Sequence, residues 1–351
     1  MRILVLKTWL KNIGNGFIDK GAVTIVREAF PNAEVIEVSG FPNYTDDVEP
    51  TRIWPQTPPI SWLRQSKLAR TASTLISYSK SANSYQTIDD NYFQEEQDGN
   101  MVNMAEFVDA DVAVFPGCVL YRHALDKYIQ TLQHLNDTST PIILLGAGGG
   151  NYTPRTVETV RKILNQIRPA ALLTRDERAH EMYKDVFELS YNGIDCGFFI
   201  NEWYDPPDAN QEMLAATFDK TNEPEIDANT RIIRPNHGPF PTYGTNPTAE
   251  YFEKDDTLIS DSLMDYLMVY ANAEETHSDR IHACVPALAY GNRAQLYYDT
   301  PRSLLFDRVL TRDITNEPIK IDSNRLEREK SDQISEFRAI VERCIDKSPA
   351  V

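Results

Sequence analysis

Two histidines and an arginine stand together in the stretch HSDRIHACVPALAYG, residues 277–291, as His277, Arg280 and His282. The whole chain has only six histidines, so two of them five residues apart around an arginine invite a chemical reading. A guanidinium is a planar fork suited to phosphate or carboxylate. An imidazole adds a further donor or a proton carrier near neutral pH. Ser278 and Asp279 are residue types that cap helix starts, the apolar run from Ile281 has helical spacing, and Gly291 marks its end. Arg280 and His282 then fall in the first helical turn, where free backbone N–H groups and the positive end of the helix dipole favour an anion. The plain alternative is that Asp279 only caps the helix, Arg280 is a surface cation and His282 a hydrogen-bonded core histidine. The local pattern leaves both open.

Three more constellations follow strand-like runs. In IILLGAGGGNYTP, Gly146, Gly148, Gly149 and Gly150 precede a helix expected near Pro154. Gly148 and Gly149 are candidates for a backbone N–H cradle around an anion, with a simple tight turn as the alternative. Their spacing meets neither GxGxxG nor GxxxxGK[ST]. In LLTRDERA, Asp176 suits an N-cap, and Arg175 either faces a cleft as an anion ligand or pairs with a carboxylate. In KNIGNGFIDKGA, Asn12, Gly14 and Asn15 either touch a polar ligand or make a turn. No GxSxG, no HExxH and no close set of metal-spaced ligands occurs, so no metal site is expected. The acid pairs Asp46–Asp47 and Asp255–Asp256 read as solvated.

The elements that must position these residues are legible as an alternation. RILVL, a loop, the helical IDKGAVTIVREAF and AEVIEV open the chain. ADVAVFPG, TPIILLGAGGG, PAALLTRDERAHEMY and LSYNGIDCGFF then repeat strand, loop and helix. Such alternation predicts an α/β fold, a parallel sheet with helices on both faces, and ligands at the loops beyond the strand ends. A Pro- and Tyr-rich loop reaches about residue 60, followed by an amphipathic helix near 61–80 and a weakly patterned stretch. Residues 200–257 are rich in Asp, Glu, Asn and Pro, and read as a linker with surface insertions around one short strand, TRIIRP. A second αβ region follows with DSLMDYLMVYANA, the histidine stretch, the strand AQLYY and SLLFDRVL. The last helix, SNRLEREKSDQISEFRAIVERCI, carries a narrow stripe of Leu326, Ile334, Phe337, Ile340 and Val341. At 351 residues, two domains are expected: an N-terminal lobe of residues 1–200 and a C-terminal lobe of 201–351, whose last helix packs back on the first lobe.

A net charge of −17 disfavours nucleic acid as a partner, since phosphate backbones require a basic surface. Arginine outnumbers lysine 22 to 13, a pattern of salt-adapted proteins or of an ordinary acidic enzyme. Cys118, Cys196, Cys284 and Cys344 lack CxxC spacing and read as reduced, buried residues. No apolar run reaches membrane-span length and the start lacks a cleavage-site pattern, so a soluble, cytoplasmic protein is expected.

The order of these signals resembles the polysaccharide pyruvyl transferase family: an NxG(D/N) loop, a glycine-rich loop, an RD strand end and a late S-x-RxHA helix. The similarity spans residues 1–38, 104–200 and 260–310, and RIHACVPALAYGNRAQLYYDTPRSLLFDRV is its most specific part. The resemblance implies two Rossmann-like lobes with parallel sheets in a GT-B-like arrangement. It also implies transfer of the enolpyruvyl group of phosphoenolpyruvate onto two sugar hydroxyls as a pyruvate ketal. Arg280 and His282 match the family residues that hold phosphoenolpyruvate, and Arg175 matches the earlier arginine of that site. Asn15 stands where the family usually has Asp, and Arg302 where it usually has Lys. The implied partners are phosphoenolpyruvate as co-substrate and a sugar of a cell-surface glycan or exopolysaccharide, free or lipid-linked. No other cofactor is implied, and membrane association would come through the acceptor only. The rival readings are a GT-B glycosyltransferase using a nucleotide sugar and a non-catalytic glycan-binding relative.

Overall fold

The computed structural model describes residues 1–8, 12–40, 102–218, 220–226, 229–237 and 254–347. The Pro- and Tyr-rich loop and the helix expected near 61–80 lie outside these residues. The first half runs β1 (Arg2–Lys7), α1 (Ile13–Ala29), β2 (Glu34–Ser39), β3 (Val112–Pro116), α2 (Arg122–Asp137), β4 (Ile142–Ala147), α3 (Pro154–Ile167), β5 (Ala171–Thr174), α4 (Glu177–Tyr183) and β6 (Leu189–Asn192). The second half runs α5 (Ile200–Trp203), β7 (Met213–Thr217), β8 (Arg231–Pro235), β9 (Thr257–Leu258), α6 (Leu263–Asn272), β10 (Glu275–Ser278), α7 (Ile281–Ala289), β11 (Arg293–Leu296), β12 (Ile319–Lys320) and α8 (Ser323–Lys347).

The first sheet has the order β2-β1-β3-β4-β5-β6 and the second β12-β11-β10-β7-β8-β9. All described pairings are parallel except β11 with β12. Renumbered from its own first strand, the second sheet reads 3-2-1-4-5-6, the Rossmann order. This is the expected α/β class, two Rossmann-like sheets as in the GT-B arrangement.

Parallel strands are covered on both faces, which is why they read as continuous apolar runs. Alternate residues of one strand feed two cores, because side chains in a strand alternate between faces. Ile3, Val5 and Val114 face one core, and Leu4, Leu6, Ala113 and Phe115 face the other. The first of these continues without a break into Tyr270, Ile281, Val285 and Phe337 of the second half.

The stretch 200–257 departs from the expected linker. Met213–Thr217 is a fully buried strand that pairs with both β8 and β10 at the centre of the second sheet. Its sequence, MLAAT, is short and alanine-rich, so it carries little of the β-branched signal that marks a strand. The helix α8 crosses back to the first half. Phe337 packs edge-on against Phe30, with ring centroids 6.2 Å apart, and Arg338 Nε donates to Ala29 O at 2.7 Å. Arg338 Nη2 also donates to Glu28 O, so one side chain serves two terminal carbonyls of α1. Among the described residues no helix is long and apolar enough to cross a membrane.

Candidate active site

Two helix starts, one from each half, meet. A Cβ on Gly14 would lie 2.7 Å from His282 Cβ, so only glycine lets α1 and α7 approach this closely. Around Gly14 the first crossover holds itself together. Asn12 Oδ1 accepts from Gly14 N at 3.0 Å, Asn15 Nδ2 donates to Thr8 O at 3.2 Å, and Thr8 Oγ1 donates to the buried Asp19 at 2.8 Å. Thr8 N also donates to both carboxylate oxygens of Asp19, at 3.0 Å each. These contacts make Asn12 and Asn15 fasteners of the β1–α1 crossover.

Next to His282 stands a group that sequence reasoning missed. Asp195 follows β6 and is wholly buried. Its Oδ1 accepts from Gly197 N at 2.7 Å, which caps the 3-10 turn Cys196–Phe199. Its Oδ2 accepts from Arg175 Nη1 at 2.6 Å and stands 3.3 Å from His282 Nε2. A carboxylate can only accept, so Nε2 carries the imidazole proton and Nδ1 holds the lone pair. Only Asp195's place between glycines in NGIDCG could have hinted at this role, since a carboxylate approached by backbone needs small neighbours.

Charges in this triad follow from burial. Burial works against the charge of Asp195, but His282 and Arg175 beside it hold the carboxyl below its ordinary pKa. Burial pushes the His282 imidazole down; Asp195 opposes this, while Arg175 and Arg302 add to it. His282 is therefore neutral at neutral pH, and the buried negative charge of Asp195 is balanced by Arg175. Burial also works against the Arg175 guanidinium, but Cys118, Asp195, Asp176 and Tyr152 around it raise its pKa in the net. Of the two alternatives for Arg175, pairing is the one observed, with its side chain 1 % exposed.

The glycine-rich loop after β4 does not present Gly148 and Gly149 N–H groups to a ligand. Gly148 N donates to Gly117 O at 3.2 Å and Gly149 N to Tyr152 Oη at 3.0 Å. Tyr152 in turn donates to Asp176 Oδ2 at 2.8 Å, and Asp176 caps α4 by accepting from Ala179 N at 2.7 Å. Glycine is needed here for space. A Cβ on Gly148 would come 2.4 Å from Arg175 Nε, and one on Gly149 2.9 Å from the Tyr152 ring. The loop is thus a lid over Arg175.

The start of α7 also differs from expectation. Arg280 occupies the N-cap position, and Ser278 Oγ accepts from Arg280 N at 2.8 Å. Asp279 does not cap the helix. Its Oδ2 accepts from Lys220 N and Thr221 N, each at 2.7 Å, and so ties down the loop after β7. His282 has φ −83° and ψ 17°, outside the helical region, and Pro286 stands four residues on. Proline has no N–H to give the carbonyl of His282, so the first turn is slack at the residue whose ring the site uses. His277 belongs to β10 and is turned to Tyr297 Oη at 3.0 Å and Glu275 at 3.2 Å, away from this centre.

Arg302 lies near the glycine loop: its Nη2 would be 3.5 Å from a Cβ on Gly150, and its charge acts on His282. A further histidine, His237, was hidden in the stretch read as a linker. It is buried, with Nε2 2.6 Å from Tyr270 Oη and its ring edge-on to Phe17 of α1 at 5.9 Å. Burial pushes its pKa well down, and the charges of Arg280 and His282 push it further. Among the described residues no group of three or more His, Cys, Asp or Glu is placed to hold a metal ion.

Two Rossmann-like sheets, with a buried histidine–carboxylate–arginine cluster where their helix starts meet, define an α/β protein. The profile of polysaccharide pyruvyl transferases matches residues 12–291, and the chain belongs to that family of transferases. The matched span contains Arg175, Asp195, Arg280 and His282, and ends before Arg302 and α8. A search of curated proteins finds no match. Among solved structures, a UDP-N-acetylglucosamine 2-epimerase from Rickettsia bellii is 14% identical over 98% of this chain and 96% of its own, with a TM-score of 0.48. A putative UDP-N-acetylglucosamine 2-epimerase from Listeria monocytogenes is 8% identical over 98% and 90%, also at 0.48. A heptosyltransferase from E. coli is 14% identical over 84% and 88%, at 0.37.

Proposed function

We propose that this chain transfers the pyruvyl group of phosphoenolpyruvate onto two hydroxyls of a sugar in a cell-surface glycan or exopolysaccharide, on the cytoplasmic side. The Asp195–His282 pair carries this reading, because it leaves a neutral imidazole with a lone pair on Nδ1 beside arginines. In the reaction the methylene carbon of phosphoenolpyruvate gains a proton and becomes the ketal methyl. The bond from its central carbon to the phosphate oxygen breaks, and two bonds to sugar oxygens form at that carbon. Two hydroxyl protons are released; one balances the methyl proton and the other leaves with phosphate.

His282 is the group able to take and return a proton, with Asp195 fixing its tautomer and Arg175 fixing Asp195. Arg280 and Arg302 supply the positive charge for the donor's carboxylate and phosphate. Asp279 supports this reading over a nucleotide-sugar enzyme. It fills the two N–H groups after β7, at the strand-order reversal where a Rossmann sheet would otherwise receive a diphosphate.

Calorimetric titration with phosphoenolpyruvate, set beside titration with UDP-sugars, tests the assignment. Wild type is expected to bind phosphoenolpyruvate, and Arg280→Ala to bind it at least about tenfold more weakly, as a lost charge-assisted hydrogen bond implies. No heat with wild type would sink the donor. Unchanged affinity in Arg280→Ala would move the site elsewhere.

A further inference from the structure

We propose that Gln333, on the C-terminal helix, is a positioning residue for the Asp195–His282 pair. Gln333 is completely buried, and its Oε1 accepts from Ile194 N at 2.6 Å, one residue before Asp195. The contact is built on a glycine, since a Cβ on Gly193 would lie 2.1 Å from that oxygen. Gly193 N is itself anchored, donating to Thr174 O at 2.9 Å, next to Arg175. The turn that carries Asp195 is therefore held from β5 on one side and from α8 on the other.

The helix is fixed on both sides of Gln333, so its amide is not free to follow a moving turn. One turn earlier, the buried Lys330 donates to Asn201 Oδ1 at 2.9 Å and Glu202 Oε1 at 2.6 Å. One turn later, Phe337 and Arg338 dock on the end of α1, whose other end touches His282. A peptide N–H only donates, so the amide oxygen must face Ile194 and the Nε2 group must face away. That Nε2 has no hydrogen-bond partner among the described residues. An apolar side chain would bury no unpaired donor, so the amide is there for the acceptor it offers. The amide is explained by the N–H it satisfies: without it the Ile194 peptide is released, and the 3.3 Å contact between Asp195 and His282 loosens with it. Residue 333 lies beyond the span that the family profile matches, so the family does not assign it.

The test reads the His282 ring directly by 15N NMR of the full-length protein labelled on histidine, assigned with His282→Asn. Wild type should show His282 protonated at Nε2. In Gln333→Met, which keeps the length and loses the acceptor, the His282 nitrogens should move toward the shifts of a mixed tautomer. Gln333→Glu, which keeps an acceptor, should restore them. Arg161→Ala breaks the contacts of α3 to Met182 O and Asp185, which do not involve α8, and should leave them unmoved even where it lowers the melting temperature. Should Gln333→Met not fold, Gly193→Ala displaces the same amide and takes its place. His282 signals that coincide with wild type in the folded variant, or that move as far in Arg161→Ala, would overturn the proposal.

The turnover arm rests on the pyruvyl-transfer reading: kcat should fall by up to about 10²-fold in Gln333→Met, with KM for phosphoenolpyruvate within about twofold. Absence of turnover in wild type would remove that reading alone, and the NMR result would still decide the role of Gln333.

Discussion

Beside the glycine-rich loop after β4, the turn that opens α7 makes an instructive contrast. Both are strand-to-helix crossovers at the carboxyl ends of their strands, and both carry the residue types that grip anions. In the loop, Gly148 N and Gly149 N are spent on Gly117 O and Tyr152 Oη. In the turn, Asp279 reaches away to the loop after β7, the first helical turn is slack ahead of Pro286, and His282 keeps a nitrogen lone pair. The first is built as a support, and the second is the one that the proposed reaction uses. What separates them is where the polar atoms are already committed, which residue type and spacing alone do not reveal.

The contrast is broken most directly at Arg175, which lies under the loop and serves the turn. Replacing it in Arg175→Met leaves the buried Asp195 charge without its partner. The expected cost is about 3–5 kcal/mol of folding stability, the usual consequence of splitting a buried ion pair. Denaturant unfolding measures it, and a loss below about 1 kcal/mol would mean that the pair is not load-sharing. Turnover should vanish along with the stability.

A smaller effect sharpens the other side. Tyr152→Phe removes one hydroxyl that accepts from Gly149 N and donates to Asp176. If the loop is only a support, the variant loses about 1–3 kcal/mol of stability, as a buried donor left unpaired requires. Its affinity for phosphoenolpyruvate, measured by calorimetry on the folded protein, should stay within about twofold of wild type. A large loss of affinity with little loss of stability would make the loop part of the binding surface.

The sequence showed the alternation of strands and helices because both-face burial leaves continuous apolar runs such as RILVL and IILLGA. It also singled out Arg280 and His282 at a helix start and Arg175 at a strand end, and the fold brings two of these, Arg175 and His282, onto Asp195. Three things were out of reach. The strand MLAAT is alanine-rich and was lost in an acidic stretch, although it is central to the second sheet. Asp195 looks like any turn aspartate until the fold brings residues 175, 195 and 282 within hydrogen-bond distance. Asp279 fits a helix cap by type and neighbours, and only the path of the loop after β7 gives it a different task.

The smallest predicted effect concerns acid. On the loop side, burial and Asp176 push the Tyr152 hydroxyl far up. On the α7 side, His237 and His282 both have folded-state pKa values below the ordinary histidine value of 6.5. The unfolded chain therefore binds protons that the folded chain refuses, and stability should decline as pH falls below about 6.5. His237→Phe removes one of these two refusals while losing the contact to Tyr270 Oη, a hydrogen bond worth about 1 kcal/mol. The variant should start less stable than wild type at pH 8 and lose stability less steeply toward pH 5, so that the two curves converge. Denaturant unfolding across that range tests it: parallel curves would show that His237 does not contribute to the acid sensitivity, leaving His180, His277 and His282, whose pKa values are also lowered by burial, as its source.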